Sequence, residues 1–487
     1  MNSDENISIL AASLSARWKE LCAGYLPVYF EEATWRYSRE VAPGDPAQGW
    51  KLHLSANLLT ATETLARVAP GLRRRGILFK GPASLEEVRR INCGLSHGYS
   101  QVGKVFTIYP RTDVEARAIA RQLHRLTVDL SAPPVPFDLR YRPGSCVYYR
   151  YGAFDQLEME TPEGTRVPAM RHPDGRLVPD LRDAGGAPPD WVSDPFTRAK
   201  ASRPANPPAS PLKTTFRAFR ALSQRGKGGV YQAIDLSGSA PRFCLLKEGR
   251  RGGEVDWDGR DGHWRVRNEE CVLSQLRMAG IRVPAIRASF EVDGHYYLVT
   301  EFLDGENLQR ALALRRRRLS IPHVLQRAVQ ISTIVARIHA AGWVWRDCKP
   351  GNFLLTPSGE LRPIDFEGAC PVEEPDPLPW NTAPFSPPNL EIAPHGSRLP
   401  EDLYAIGATI YFLLTGRLIE VANPMPISSL RRNVPSALVA IVSDLLDPNP
   451  ARRPSADRAA ARFQAVIAQT RRIGQALHSV NRSAVHS

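Results

Sequence analysis

Cysteine pairs at CxxC spacing are missing from this sequence, as is any Cys/His cluster at zinc-binding intervals. The seven cysteines (Cys22, Cys93, Cys146, Cys244, Cys271, Cys348, Cys370) are scattered. That usage argues against a disulfide scaffold and against a zinc site, and it fits a reducing compartment. No apolar run approaches the roughly 20 residues that cross a bilayer. The start, MNSDENISILAASL, puts acids before a short apolar run, unlike the basic start of a signal peptide. A cytoplasmic protein with no membrane partner and no zinc is therefore expected. No internal repeat is found.

What is present is ordinary in bulk and uneven in place. The 487 residues are 43% apolar and 23% charged, enough to bury two or three cores. The formal charge of +13 suits a nucleic-acid binder, and equally an enzyme that handles phosphate monoesters or acidic peptides. Strand-like runs (KLHLSA, GILFK, KVFTIYP, SCVYYRYGAF) alternate with helical stretches at 57–75 and 113–127. These predict an α+β domain over 1–160. Proline, glycine and aspartate then crowd the chain, which predicts a connector over 161–213. Strands followed by helices, including 322–340 and 400–416, predict a second, bilobal domain over 214–470 and a tail over 471–487.

The most specific pattern is Trp345-Arg346-Asp347-Cys348-Lys349-Pro350-Gly351-Asn352. It resembles the catalytic loop of protein kinases, with Trp in place of the usual His. Phosphoryl transfer needs a carboxylate at the attacking hydroxyl, a cation at the γ-phosphate and oxygen ligands for Mg²⁺. Asp347, Lys349 and Asn352 have the spacing for those roles, and Asp365, in Ile364-Asp365-Phe366-Glu367, is the second metal candidate. Upstream, Lys247 ends a strand and matches the lysine that grips nucleotide phosphates, with Glu269 as its expected ion-pair partner. Gly226, Gly228 and Gly229 form the phosphate loop, although Ser223 and Arg225 hold its first two glycine positions. Asp402 and Arg453 match structural positions of the kinase fold. ATP or another NTP with Mg²⁺ is the expected cofactor set.

The first domain concentrates cations on strand-like segments: Lys51, His53, Lys80, Lys104, Arg140, Arg142 and Arg150. With period two, Lys51 and His53 share one strand face. Cations that converge need an anion, and a phosphoester is the apt one.

GWKLHLSA, then FK, GKVFTIYP and YYRYGAF, ahead of a kinase-like region, make the chain similar to class III and class IV lanthipeptide synthetases over residues 20–460. The N-terminal domain of that family resembles bacterial phosphothreonine lyases. By position, the resemblance implies Lys80 as the base for the α-proton and His53 as the acid for departing phosphate. It places Lys51, Lys104, Arg140 and Arg150 on the phosphate, with Arg142 a further candidate. A lysine works as a base when neighbouring cations lower its pKa. The implied activity is dehydration of Ser and Thr in a precursor peptide with a leader. Family members continue into a cyclase domain, whereas this sequence stops at Ser487. Rings, if formed, are then expected to arise spontaneously or from a separate cyclase or cysteine decarboxylase. Two other readings compete: a Ser/Thr signalling kinase whose first domain senses an anion or docks a partner, and a nucleic-acid-binding module. The Lys-x-His pair followed by Lys80 and Lys104 favours elimination over docking, and no nucleic-acid partner is expected.

Overall fold

A computed structural model describes residues 3–29, 34–154, 157–180, 187–196, 210–313, 318–380, 382–388, 397–420 and 423–483. The expected connector therefore lies partly outside the described residues, at 181–186 and 197–209, as does the end of the expected tail, 484–487. The chain divides into two compact units: residues 6–266 with 289–298, and residues 1–5, 267–288 and 299–487.

The first unit opens with α1 (Ser3–Tyr25), β1 (Val28–Tyr29), β2 (Trp35–Tyr37) and β3 (Gln48–Leu54). There follow α2 (Ala61–Arg74), β4 (Leu78–Pro82), α3 (Leu85–Cys93), β5 (Phe106–Tyr109), α4 (Asp113–Thr127), β6 (Leu139–Arg140) and β7 (Val147–Ala153). The seven strands form one sheet in the order β1-β2-β4-β5-β3-β7-β6. In β3 the alternation is clean: Trp50, Leu52 and Leu54 enter the core, while Lys51 and His53 take the other face. The core joins Leu52, Leu54, Phe79, Phe106 and Ile108 of the sheet to Leu65, Val68, Ile119 and Leu123 of α2 and α4 and to Trp18 of α1. Ser84 caps α3 and Thr112 caps α4, each accepting from the amide three residues on. One sheet face is thus sealed by helices, and the other is left to polar residues.

Two further strands lie within the expected connector, 161–213, and form a sheet with one at the end of the expected first domain. Strands β8 (Glu158–Glu160), β9 (Arg166–Arg171) and β10 (Leu177–Pro179) make an antiparallel meander in the order β10-β9-β8. The turn residues that suggested a connector, Gly164 and Gly175, take positive φ at the two hairpin tips.

After a short helix α5 (Pro211–Thr214) come β11 (Phe216–Arg225), β12 (Gly228–Asp235), β13 (Arg242–Gly249) and α6 (Gly262–Met278). With β14 (Ile286–Val292) and β15 (His295–Glu301), these strands complete a five-stranded sheet. The second unit continues through β16 (Glu306–Asn307), α7 (Leu308–Ala313), α8 (Ile321–Ala340), β17 (Trp343–Val344), β18 (Phe353–Leu355), β19 (Leu361–Pro363) and β20 (Cys370–Pro371). It ends with α9 (Leu399–Thr415), α10 (Ile427–Leu430), α11 (Ser436–Leu445) and α12 (Ala456–Ser483), which runs into the expected tail. Helix α8 packs on α9 and α12. The protein is α+β throughout, and no described helix is long and apolar enough to cross a membrane.

Candidate active sites

In the second unit the loop 345–352 hangs from one buried acid. Asp402 of α9 is fully buried and accepts the backbone amides of Trp345 (2.8 Å) and Arg346 (2.7 Å). His339 Nε2, near the end of α8, meets the same carboxylate at 2.9 Å. The loop delivers Asp347 into a polar cluster. Asn352 Nδ2 donates to Asp347 Oδ2 at 2.7 Å, and Lys349 Nζ lies 2.9 Å from the same oxygen. Thr382 Oγ1 donates to Asp347 Oδ1 at 3.0 Å and accepts from Lys349 Nζ at 3.1 Å. A nucleophilic hydroxyl arriving here meets a carboxylate and an ammonium already held by neighbours.

Trp345 shows why an indole can replace the usual imidazole. Its ring stacks on Phe366 (5.1 Å between centroids), meets Phe353 edge-on, and donates Nε1–H to the Asp365 carbonyl at 2.9 Å. Asp365 itself has φ +67°. Glu269 of α6 is buried and accepts the Phe366 amide at 3.3 Å, which ties that helix to the segment carrying Asp365. With the Asn352 amide nitrogen engaged by Asp347, its amide oxygen is the atom left for a cation. That oxygen and the Asp365 carboxylate are hard donors of the kind Mg²⁺ takes, alongside water and phosphate.

Of the nucleotide-binding candidates in the first unit, Lys247 sits on β13 opposite Val230. The glycine turn departs from expectation. The Gly226 amide donates to the Cys93 carbonyl at 3.1 Å, so it is engaged by protein rather than held open for phosphate. A Cβ on Gly226 would stand 1.6 Å from the Asn92 carbonyl oxygen, and one on Gly228 would stand 1.7 Å from that of Glu248. At Gly229 the conflict is with the Tyr231 hydroxyl, 2.3 Å away. Protein atoms fill the room that these three glycines leave.

The basic face is a register fact. Tyr37, Lys80, Thr107, His53, Tyr148 and Arg140 are consecutive cross-strand partners, from β2 through β4, β5, β3 and β7 to β6. Directly paired residues project to the same face. Lys80 and His53, separated by one strand, therefore stand about 10 Å apart at Cα, within reach of one phosphoserine. Lys51 and Arg150, themselves paired, lie two residues along on the same face. The Lys80 ammonium lies 4.2 Å from the Trp35 ring centroid. Arg140 lies over Tyr148.

Two expected members stand apart, Arg142 by position and Arg150 by its pairing. Arg142 lies over the Tyr141 ring in the turn 142–145, outside that row. Arg150 is buried and paired with Asp180, just beyond β10, so the guanidinium already has an anion. That carboxylate relieves the repulsion between Arg150 and Lys51.

Lys104 arrives by another route. Asp138, its side chain wholly buried, lies 2.9 Å from Lys104 Nζ and 2.5 Å from His53 Nδ1. Burial pushes the imidazole down to about 4, against the pull of Asp138, so His53 is neutral near pH 7. Burial alone would raise Asp138, but charge and hydrogen bonds from His53 and Lys104 hold it well below the usual carboxylate range. The short contact puts the imidazole proton on Nδ1 and leaves Nε2 for a ligand.

Comparison with known proteins identifies both domains of the chain. Residues 28–208 match the RamC N-terminal domain, and residues 228–463 match the protein kinase domain. The chain is 30% identical over 356 residues to the "Probable SapB synthase" of Streptomyces coelicolor, covering 71% of this chain and 38% of that one. The chain thus carries a RamC-type N-terminal domain followed by a protein kinase domain. Its kinase half is also similar to "Serine/threonine-protein kinase PknA" of Mycobacterium tuberculosis, at 30% identity over 42% of this chain and 48% of that one. A third relative, "Serine/threonine-protein kinase F" of Synechocystis, is 27% identical over 40% and 43%. The chain thus spans less than half the length of these relatives.

In the RamC N-terminal domain, sequence reasoning missed Asp138 and Asp180, neither of which sits in a motif. In the kinase domain it missed Thr382. A hydroxyl 35 positions after Asp347 carries no signal of its own.

Proposed function

We propose that this protein dehydrates Ser and Thr of a precursor peptide in two steps, one for each domain. The observation that carries the proposal is the single sheet face shared by Lys80, His53, Lys51 and Arg140, on the same chain as a complete Asp347–Lys349–Asn352 cluster.

In the first step Asp347 orients the peptide hydroxyl and takes its proton, while Lys349 offsets charge on the transferring γ-phosphoryl group. Lys247 holds the inner phosphates of the NTP. Mg²⁺, held by Asn352 and Asp365, would draw negative charge from the phosphate oxygens. The product is a phosphoester and an NDP.

In the second step Lys80 removes the α-proton. The C–H electron pair becomes the Cα=Cβ bond, the Cβ–O bond breaks, and inorganic phosphate leaves. Lys51, Lys104 and Arg140 offset its charge. His53 is neutral in the free site, with Nδ1–H toward Asp138. The phosphoester monoanion, whose second ionisation lies at about 6, can supply the proton that His53 then carries on Nε2 and returns to the departing phosphate. Asp138 stabilises the imidazolium formed in between. A leader segment on the peptide would concentrate the reacting residues at both sites.

Mass spectrometry of a Ser-rich precursor peptide, incubated with the protein, NTP and Mg²⁺, tests the proposal. Loss of one water per modified residue supports it. A stable gain of phosphate alone would reduce the chain to a kinase, and no change in mass would remove both activities.

A further inference from the structure

The segment between the metal-binding motif and Thr382 reads EGACPVEEPDPLPWN from Glu367 to Asn381 and contains no Ser, Thr or Tyr. Kinase activation segments are commonly ordered when a phosphorylated residue pairs with an arginine. Nothing in this stretch can accept a phosphoryl group by that chemistry, yet the arginine is present and engaged.

Arg346 precedes Asp347 and is buried, with φ +67°. Its Nη1 lies 2.8 Å from Asp376 Oδ2, its Nε lies 3.4 Å from Glu401 Oε2, and its Nη2 donates to the Leu378 carbonyl. A second buried arginine closes the arrangement. Arg398 donates from Nε to the Asp376 carbonyl at 2.9 Å, from Nη2 to the Pro377 carbonyl at 2.8 Å, and from Nη1 to Glu401 at 2.7 Å. The Asp376 carboxylate also accepts the Leu378 amide at 3.0 Å, which fixes the turn. At the near end of the segment, Val344 pairs with Cys370 and Trp343 with Pro371. At the far end Thr382 meets Asp347 and Lys349.

We propose that Asp376 is a built-in counter-charge for Arg346, and that it holds the Thr382 segment against Asp347 without any phosphorylation of the protein. Asp376 is a positioning residue: it acts on Asp347 through Arg346. The physical driving force is the cost of a buried guanidinium without an anion. A segment whose order depended on a phosphate would leave that charge poorly paired until modified. Here Asp376 and Glu401 compensate it from the start, so the transferase is permanently competent. The inference rests on the proposed reading of the kinase half as a peptide phosphotransferase.

The test compares wild-type protein before and after phosphatase treatment, with intact mass confirming that no phosphate remains, using a precursor peptide with Mg²⁺ and ATP. Equal initial rates of phosphoryl transfer to the peptide, with no lag, are expected. A lag that ends as the protein phosphorylates itself, or activity lost only in the treated sample, would overturn the proposal. No transfer by either sample would overturn the proposed function and this inference with it. The second arm uses Asp376→Asn and Asp376→Glu, with melting temperatures measured alongside. Asp376→Asn should lower kcat at least about tenfold, the scale of one charge-assisted contact, with the KM for ATP nearly unchanged, and Asp376→Glu should recover most of it. Full activity in Asp376→Asn contradicts the proposal. If that variant does not fold, the phosphatase comparison on wild type decides.

Discussion

His53 Nδ1 and Asp138 Oδ2 lie 2.5 Å apart, joining residues 85 positions apart in sequence beneath the basic face of the sheet. The same carboxylate reaches Lys104, so one buried anion organises both the expected acid, His53, and one of the expected phosphate-binding cations. The charge on this acid is structural as well as chemical. Asp138→Asn is expected to destabilise the protein by about 3–5 kcal/mol, because Lys104 loses its counter-charge in a buried site. Adding Lys104→Met should restore a substantial part of that loss, since the second change removes the uncompensated ammonium. Denaturant unfolding of the two single variants and the double variant measures the coupling. Strictly additive losses would contradict the pairing.

The neutral state of His53 sets a pH dependence of stability. Its pKa is about 4 in the fold against an ordinary 6.5, so between those values the unfolded chain binds a proton that the folded one does not. Stability is therefore expected to fall as pH drops from 6.5 to 4, by about 3 kcal/mol from this group. His53→Asn, which does not titrate in that window, should flatten the dependence. Unfolding curves at pH 7 and pH 4.5 test this, and a wild type that gains stability on acidification would contradict it.

The glycine turn offers a steric test. Gly226→Ala places a methyl group against the Asn92 carbonyl, so backbone must move. A cost of about 1–3 kcal/mol is expected. Gly238→Ala, in the turn at the other end of β12, meets nothing closer than 3.5 Å and should stay within about 0.5 kcal/mol of wild type. Equal effects from the two substitutions would show that the close approach is not a constraint.

Much of how the candidate residues are brought together was legible in the sequence, for a physical reason. Asp347, Lys349 and Asn352 lie within six residues, so loop geometry alone gathers them. Lys51 and His53 alternate with apolar Trp50, Leu52 and Leu54, so period two assigns their face. What stayed hidden depends on tertiary pairing. Asp138 sits in PVPFDLRYRPG, a stretch without periodicity, and only the return of β6 and β7 beside β3 brings it under His53. Asp180 follows strands of three and six residues whose turn-rich composition suggested a connector. Gly226 has the composition of a phosphate loop, and only the fold reveals that Cys93 takes its amide.

The most direct test of phosphorylation followed by elimination is intact-mass analysis of a precursor peptide treated with Lys80→Ala in the presence of NTP and Mg²⁺. Loss of a catalytic base typically slows its step by about 10²–10⁴-fold, while the Asp347 cluster of the other unit is left unaltered. Phosphorylated peptide should accumulate, and the dehydrated product that wild type forms should be nearly absent. Dehydration at the wild-type rate by Lys80→Ala would contradict the assignment of Lys80 and, with it, the proposed elimination site.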